Sequence, residues 1–123
     1  MTVYIWTDAE AYRRFMFRKV LLDTVHEIIA SDGRILTWLD HKNVLMSCHV
    51  NEFNNVGLSG TDAEKVAECD YMLCSWDGCN KARLKSIKSL LALGKKCKMY
   101  YLPRNEWVEI FSEAELKALE GDA

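Results

Sequence analysis

The residues Thr-Asp-Ala-Glu occur twice, at Thr7–Glu10 and Thr61–Glu64, and Ser112-Glu113-Ala114-Glu115 repeats the pattern near the end of the sequence. A Ser or Thr followed three residues later by Glu is a capping box, in which hydroxyl and carboxylate each satisfy a backbone amide where a helix begins. Three helix starts are therefore written into the chain. Before the first lies Thr2–Trp6 (TVYIW), β-branched and aromatic like a strand. After it, Tyr12, Phe15, Met16, Val20, Leu21, Val25, Ile28 and Ile29 recur at helical spacing. They predict one helix to about Ser31, stopped by Asp32-Gly33.

Arg34–Leu39 (RILTWL) and Val44–Val50 (VLMSCHV) read as the second and third strands. Only Asp40–Asn43 separate them, too few for a crossover between parallel neighbours. The pair is expected to be an antiparallel hairpin, or not adjacent in the sheet. Asn51–Gly60, rich in Asn and Gly, reads as a loop, and the second box opens a short helix to about Glu68. Tyr71–Trp76 is a strand, and Asn80–Leu93 a helix with Leu84, Ile87, Leu90 and Leu91 inward and Gly94 as its stop. Cys97–Leu102 is a strand ended by Pro103, Trp107–Phe111 a further short strand, and the third box starts a helix to about Leu119. The alternation predicts one α/β domain over residues 1–123. Its architecture is a three-layer Rossmann-like open sheet, mostly parallel, with the antiparallel hairpin at strands two and three.

Half of the 123 residues are hydrophobic and 28% are charged, as in an ordinary globular chain. No apolar run approaches the ~18–20 residues of a membrane span. The start, MTVYIWTDAE, lacks the basic and apolar stretches of a signal peptide. The expected location is cytoplasmic, with no membrane partner. The five cysteines include no CxxC pair, and the five-residue steps Cys69, Cys74, Cys79 do not suit zinc. The expectation is reduced thiols, no metal and no cofactor. None of the three histidines falls in an HExxH pattern.

A net charge of −2 argues against nucleic acid as a partner. The charge is unevenly spread. Seven basic residues and no acidic one lie between Asn80 and Lys98, whereas the chain from Glu106 onward is acidic. Local positive potential attracts anions.

In open α/β sheets, ligands bind outside the carboxyl ends of the strands, where helix N-termini offer free amides. That rule points to Trp6, Thr7 and Asp8 after the first strand, and to Trp76, Asp77, Gly78, Asn80, Lys81 and Arg83 after the fourth. Lys81 and Arg83 lie in the first turn of a helix, where the dipole disfavours cations unless an anion binds. Asp77-Gly78 is also an ordinary chain-reversing turn. Trp76 fits either a stacking surface or the edge of the core. Asp8, Asp40, Glu52 and Asp77 are the carboxylates near the expected crevice. No P-loop or nucleophile elbow is present.

The stretch Asp70-Tyr71-Met72-Leu73-Cys74-Ser75-Trp76-Asp77-Gly78-Cys79-Asn80-Lys81-Ala82-Arg83, followed by Gly94-Lys95-Lys96 and a strand, resembles the late half of SLOG proteins. That superfamily includes the YspA/YpsA-like branch and the LOG nucleotide phosphoribohydrolases. Asn54-Asn55-Val56-Gly57 is similar to an upstream "RNN-G" element of that branch. The resemblance implies a nucleotide-handling α/β fold. It departs at the residues that would touch phosphate. Asn80 stands for the family's serine, Ala82-Arg83 for its Gly-Thr pair, Phe53 for its arginine, and Trp6-Thr7-Asp8 for its early Gly-Ser-Arg turn. Trp38-Leu39-Asp40 replaces the Gly-Asp-Ala that ends its second strand, and the LOG-type catalytic signature is absent. Glycines let backbone approach a phosphate, and bulky replacements narrow such a pocket.

The favoured expectation is a module that binds a nucleotide-derived or ribose-phosphate ligand without turnover, through Asp77, Gly78, Asn80, Lys81 and Arg83, with Trp6 or Trp76 stacking. Two alternatives stay open. One is a protein-interaction or inhibitor module of the kind phages and mobile elements carry, working through exposed Trp38, Trp76 or Phe53. The other is a nucleotide N-glycosidase-like hydrolase using Asp77 or Glu52. A homodimer covering a free sheet edge fits the same chain.

Overall fold

A computed structural model describes residues 1–38 and 56–120. The strands are β1 (Thr2–Trp6), β2 (Arg34–Leu36), β3 (Val56–Gly57), β4 (Tyr71–Trp76), β5 (Lys96–Tyr101) and β6 (Glu106–Ile110). The helices are α1 (Ala9–Tyr12), α2 (Phe15–Ala30), α3 (Asp62–Glu68), α4 (Lys81–Ala92) and α5 (Glu113–Glu120). A 3-10 turn, Leu102–Arg104, carries Pro103.

The strands form one sheet in the order β3-β2-β1-β4-β5-β6, all parallel except β6, which runs antiparallel to β5. This is a Rossmann-like open sheet. Val3, Ile5, Ile35, Leu73 and Tyr100 face α2, which answers with Phe17, Leu21, Val25 and Ile28. Tyr4, Met72, Cys74, Trp76, Cys97, Met99 and Tyr101 face α3, α4 and α5. Each fully buried Leu, Ile or Phe stabilises the fold by about 1.5–3 kcal/mol. Two such layers flanking the sheet therefore hold it from both faces.

Some expectations change, and one lies outside the described residues. The strand beside β2 is the two-residue β3, which lies in the stretch expected to be a loop and pairs parallel as Ile35↔Val56 and Leu36↔Gly57. The link from Leu36 to Val56 is long enough for a crossover, so parallel pairing costs nothing in chain length. The expected strand Val44–Val50 lies outside the described residues, so the hairpin with it is not described; the antiparallel pair in the sheet is β5–β6. The expected single N-terminal helix is two. Arg14 is extended, with φ −82° and ψ 123°, between α1 and α2. The buried stripe of α2 starts at Phe17, while Ala11 is buried from the separate first helix. Phe15 and Met16, expected inward, are 65% and 51% exposed.

The cap of α1 is also displaced by one residue. Asp8, not Thr7, is the N-cap, and its Oδ1 accepts from the Ala11 amide at 2.9 Å. Thr7 lies just past the end of β1 and is fully buried. The other two boxes start their helices as read, each through its hydroxyl. Thr61 Oγ1 accepts from the Glu64 amide at 3.2 Å, and Ser112 Oγ from the Glu115 amide at 3.4 Å. Among the described residues no helix is long and apolar enough to cross a membrane, and no group of three or more His, Cys, Asp or Glu could hold a metal ion.

Candidate functional site

The strand order turns back at β1 and β4. From β1 the chain goes to β2 by way of α2 on one face, and from β4 it goes to β5 by way of α4 on the other. The carboxyl ends of these two neighbours therefore open a crevice, the place where ligands bind in such sheets. Trp6 pairs with Cys74 in the sheet, so Thr7-Asp8 and Ser75-Trp76 emerge side by side. The two sequence segments singled out for binding do meet.

Most of their polar groups are already engaged with each other. Asp77 Oδ1 accepts from the amides of Cys79 (2.8 Å) and Asn80 (2.7 Å). Partial burial would push its carboxyl up, but those amides and the nearby Arg83 outweigh this and hold it below the ordinary carboxylate value. It is a turn-forming carboxylate with little basicity. Gly78 has φ 83°, which favours glycine. Asn80 is the N-cap of α4, accepting from the Arg83 amide at 2.9 Å. Lys81 is exposed at the first position of that helix. Trp76 is 1% exposed, packs against Tyr101 and donates Nε1–H to the Asn80 carbonyl at 3.0 Å. It has no open ring face.

Arg83 is only 4% exposed. Its side chain turns back into the crevice. Nη1 donates to the Ser75 carbonyl, lies 3.4 Å from Ser75 Oγ and pairs with Asp8 Oδ2 at 3.5 Å. Its guanidinium sits 4.3 Å from the centre of the Trp6 ring. Asp8 Oδ2 also accepts from Ser75 Oγ at 2.9 Å. A cation expected to meet an outside anion is thus met by the Asp8 carboxylate at the start of α1.

Trp6 continues into an aromatic layer. It stacks on Tyr4 at 6.1 Å and meets the edge of Trp38 at 6.4 Å. Lys65 Nζ lies 3.8 Å from the centre of the Trp38 ring and donates to the carbonyls of Gly60 (2.8 Å) and Ser59 (3.0 Å). Burial lowers the Lys65 pKa. Lysine and loop carbonyls together clamp the approach to α3. Of the aromatics named for a protein-binding surface, Trp38 is half-buried under this lysine, Trp76 is buried, and Phe53 lies outside the described residues. Asp40 and Glu52 lie outside them too.

One helical turn beyond the engaged residues, a cavity of about 350 Å³ opens between α3 and α4. Trp6, Asp62, Lys85, Ser86 and Ser89 line it with parts of Thr61, Ala63 and Ala82. The Asp62 carboxylate is fixed from both sides. Oδ1 accepts from the Tyr4 hydroxyl at 2.7 Å, and Oδ2 from Ser86 Oγ at 2.7 Å. Tyr4 in turn accepts from Trp38 Nε1–H at 2.8 Å. Burial, then the Asp62 carboxylate, push the Tyr4 phenol far above its ordinary value, so it stays a donor.

Sequence reasoning named Trp6 but missed Asp62, Lys85, Ser86 and Ser89. Asp62 was hidden inside a capping box, and the serines in a helix read for its leucines. The one usable signal was the run of cations in α4, which includes Lys85. No protein-family model matches the chain, and neither a curated protein nor a solved structure matches it.

Proposed function

We propose that the protein binds a small nucleoside-phosphate or ribose-phosphate ligand in the cleft between α3 and α4 and does not turn it over. The observation that carries this reading is the lining of the cavity. A carboxylate held by two hydroxyls is a good acceptor for sugar hydroxyls. Trp6 lines one side of the cavity, and Lys85 at the rim supplies a mobile ammonium for phosphate. The volume suits a ligand of nucleotide size, since small-molecule sites run from roughly 300 to 1,000 Å³. Among the described residues Asp62 is the one acidic member of the lining, so they offer no pair of carboxylates for acid–base work.

Titration calorimetry against nucleoside mono- and diphosphates, cyclic nucleotides and ribose 5-phosphate tests this. Saturable binding is expected with at least one compound, together with its recovery intact after incubation. Ser89→Phe, which places a ring in the cleft from the solvent-facing side of α4, should abolish binding without unfolding the protein. No binding across the panel, or unchanged affinity in S89F, would overturn the reading.

A further inference from the structure

The two edges of the sheet are unequal. β3 has two residues, whereas β6 has five and, among the described residues, a neighbour on one side only. Natural edge strands are kept from pairing by shortness, by proline or by charge. β6 has no proline, and each of its carboxylates is held by a cation of its own chain, Glu106 by Arg104 at 3.5 Å and Glu109 by Lys96 at 3.6 Å. The two ends of β6 carry apolar groups and opposite charge. At its entry, Trp107 Nε1–H donates to the Met16 carbonyl at 3.2 Å and Arg14 Nη1 to Asn105 Oδ1 at 3.2 Å, which brings the start of α2 alongside. Phe15 and Met16 there are open to solvent, and the cations Arg13, Arg14 and Arg104 lie in the same two segments. At its exit, Phe111 is 58% exposed and the exposed Glu113 follows. Exposed apolar groups rimmed by charge mark interaction surfaces.

We infer that β6 pairs antiparallel with β6 of a second copy of this chain, joining two sheets in a closed twofold dimer. In an antiparallel pair of identical strands, the twofold axis passes between one residue and its own copy. Centred on Val108, the middle residue, the pairing aligns all five. Glu106 then faces Ile110 of the second copy and Trp107 faces its Glu109, so no like charges meet. A centre at Glu106 or Glu109 would oppose two carboxylates, and one at Trp107 or Ile110 would align fewer residues. The same register sets the entry of one strand against the exit of the other. Asn105 faces Phe111 of the second copy, and Arg104 faces its Ser112, with Glu113 beside it. Apolar surface and opposite charge therefore meet twice, by symmetry, and the assembly closes on itself. The inference does not depend on a ligand in the cleft between α3 and α4.

Sedimentation equilibrium of the full chain, with amide hydrogen exchange read along β6, tests this. A reversible monomer–dimer equilibrium is expected. Amides of Glu106–Ile110 should exchange more slowly as the dimer forms, because those facing outward gain a partner. Arg104→Glu and Glu113→Arg, both at exposed positions, each set like charges across the interface twice. Either should raise the dimer Kd about tenfold or more. An equimolar mixture of R104E and E113R should dimerise again, since each altered side chain then meets its opposite. A chain that stays monomeric at about 1 mM, a dimer with unchanged exchange in β6, single variants that dimerise as the native protein does, or a mixture that stays monomeric would overturn the inference.

Discussion

The turn after β4 and the cleft one helical turn farther along α4 draw on the same residue types, and they spend them differently. In the turn, Asp77, Asn80 and Arg83 bond to backbone, to Ser75 and to Asp8, and the closed arrangement leaves Lys81 as its free cation. In the cleft, Asp62 is also bonded on both oxygens, but Lys85 and Ser89 face solvent beside it. The difference comes from what each segment must satisfy. The turn must terminate a strand and start a helix, so its polar groups go to orphan amides and carbonyls. The next turn of α4 has its backbone bonds made within the helix, and its side chains are free to face a ligand.

The two regions differ most at the buried cation. Removing Asp8 strands Arg83, whereas removing Arg83 strands a carboxylate that is 38% exposed. Asp8→Ala should therefore cost about 3–5 kcal/mol in urea unfolding, and Arg83→Met far less. Equal costs would mean that the pair is not the main support of the crevice. On the cleft side, Asp62→Ala leaves the buried Tyr4 hydroxyl without its acceptor and should cost about 1–3 kcal/mol. In a Tyr4→Phe background the same change should cost clearly less, a coupling that a double-mutant cycle measures.

Within the turn, Gly78→Ala forces a side chain onto φ 83° and should cost about 1–2 kcal/mol. Lys85→Gln sits at the other extreme. An exposed lysine without a fixed partner should change stability by no more than about 0.5 kcal/mol, yet weaken a phosphorylated ligand. The smallest effect is one of pH. Asp77 titrates lower when folded than unfolded, so its contribution is full above the ordinary carboxylate range and is lost as pH falls through its lowered value. Asp77→Asn should flatten the acid limb of the stability curve without altering the alkaline limb.

How far the sequence reaches is seen residue by residue. Local chemistry was readable: the Thr61 and Ser112 boxes, the Asn80–Leu93 helix and the β4 and β5 strands stand where propensity and capping put them. The crevice was readable too, because it follows from strand alternation. What was not readable depends on pairing between distant segments. Arg83 looked available because Asp8, its partner, follows β1 as the cap of α1, and only the sheet order brings them together. Thr7 looked like a cap because the four letters match, but it is buried just past the end of β1 and Asp8 takes the role. Phe15 and Met16 looked inward because the break before α2, which resets the helical phase, has no Gly or Pro to mark it. Asp62 could not be recognised as part of a cleft until Tyr4 and Ser86, from β1 and α4, were seen to hold it.

Ligand is proposed to enter the cleft between α3 and α4 and to leave the Asp77–Asn80 turn alone. Amide chemical-shift mapping of the labelled protein, titrated with nucleoside 5′-monophosphates and ribose 5-phosphate, reads both regions at once. The account expects saturable shifts at Thr61, Asp62, Ala63, Ser86 and Ser89 with at least one compound, and little change at Asp77, Gly78 and Cys79. Shifts confined to the turn, or none anywhere, would contradict it.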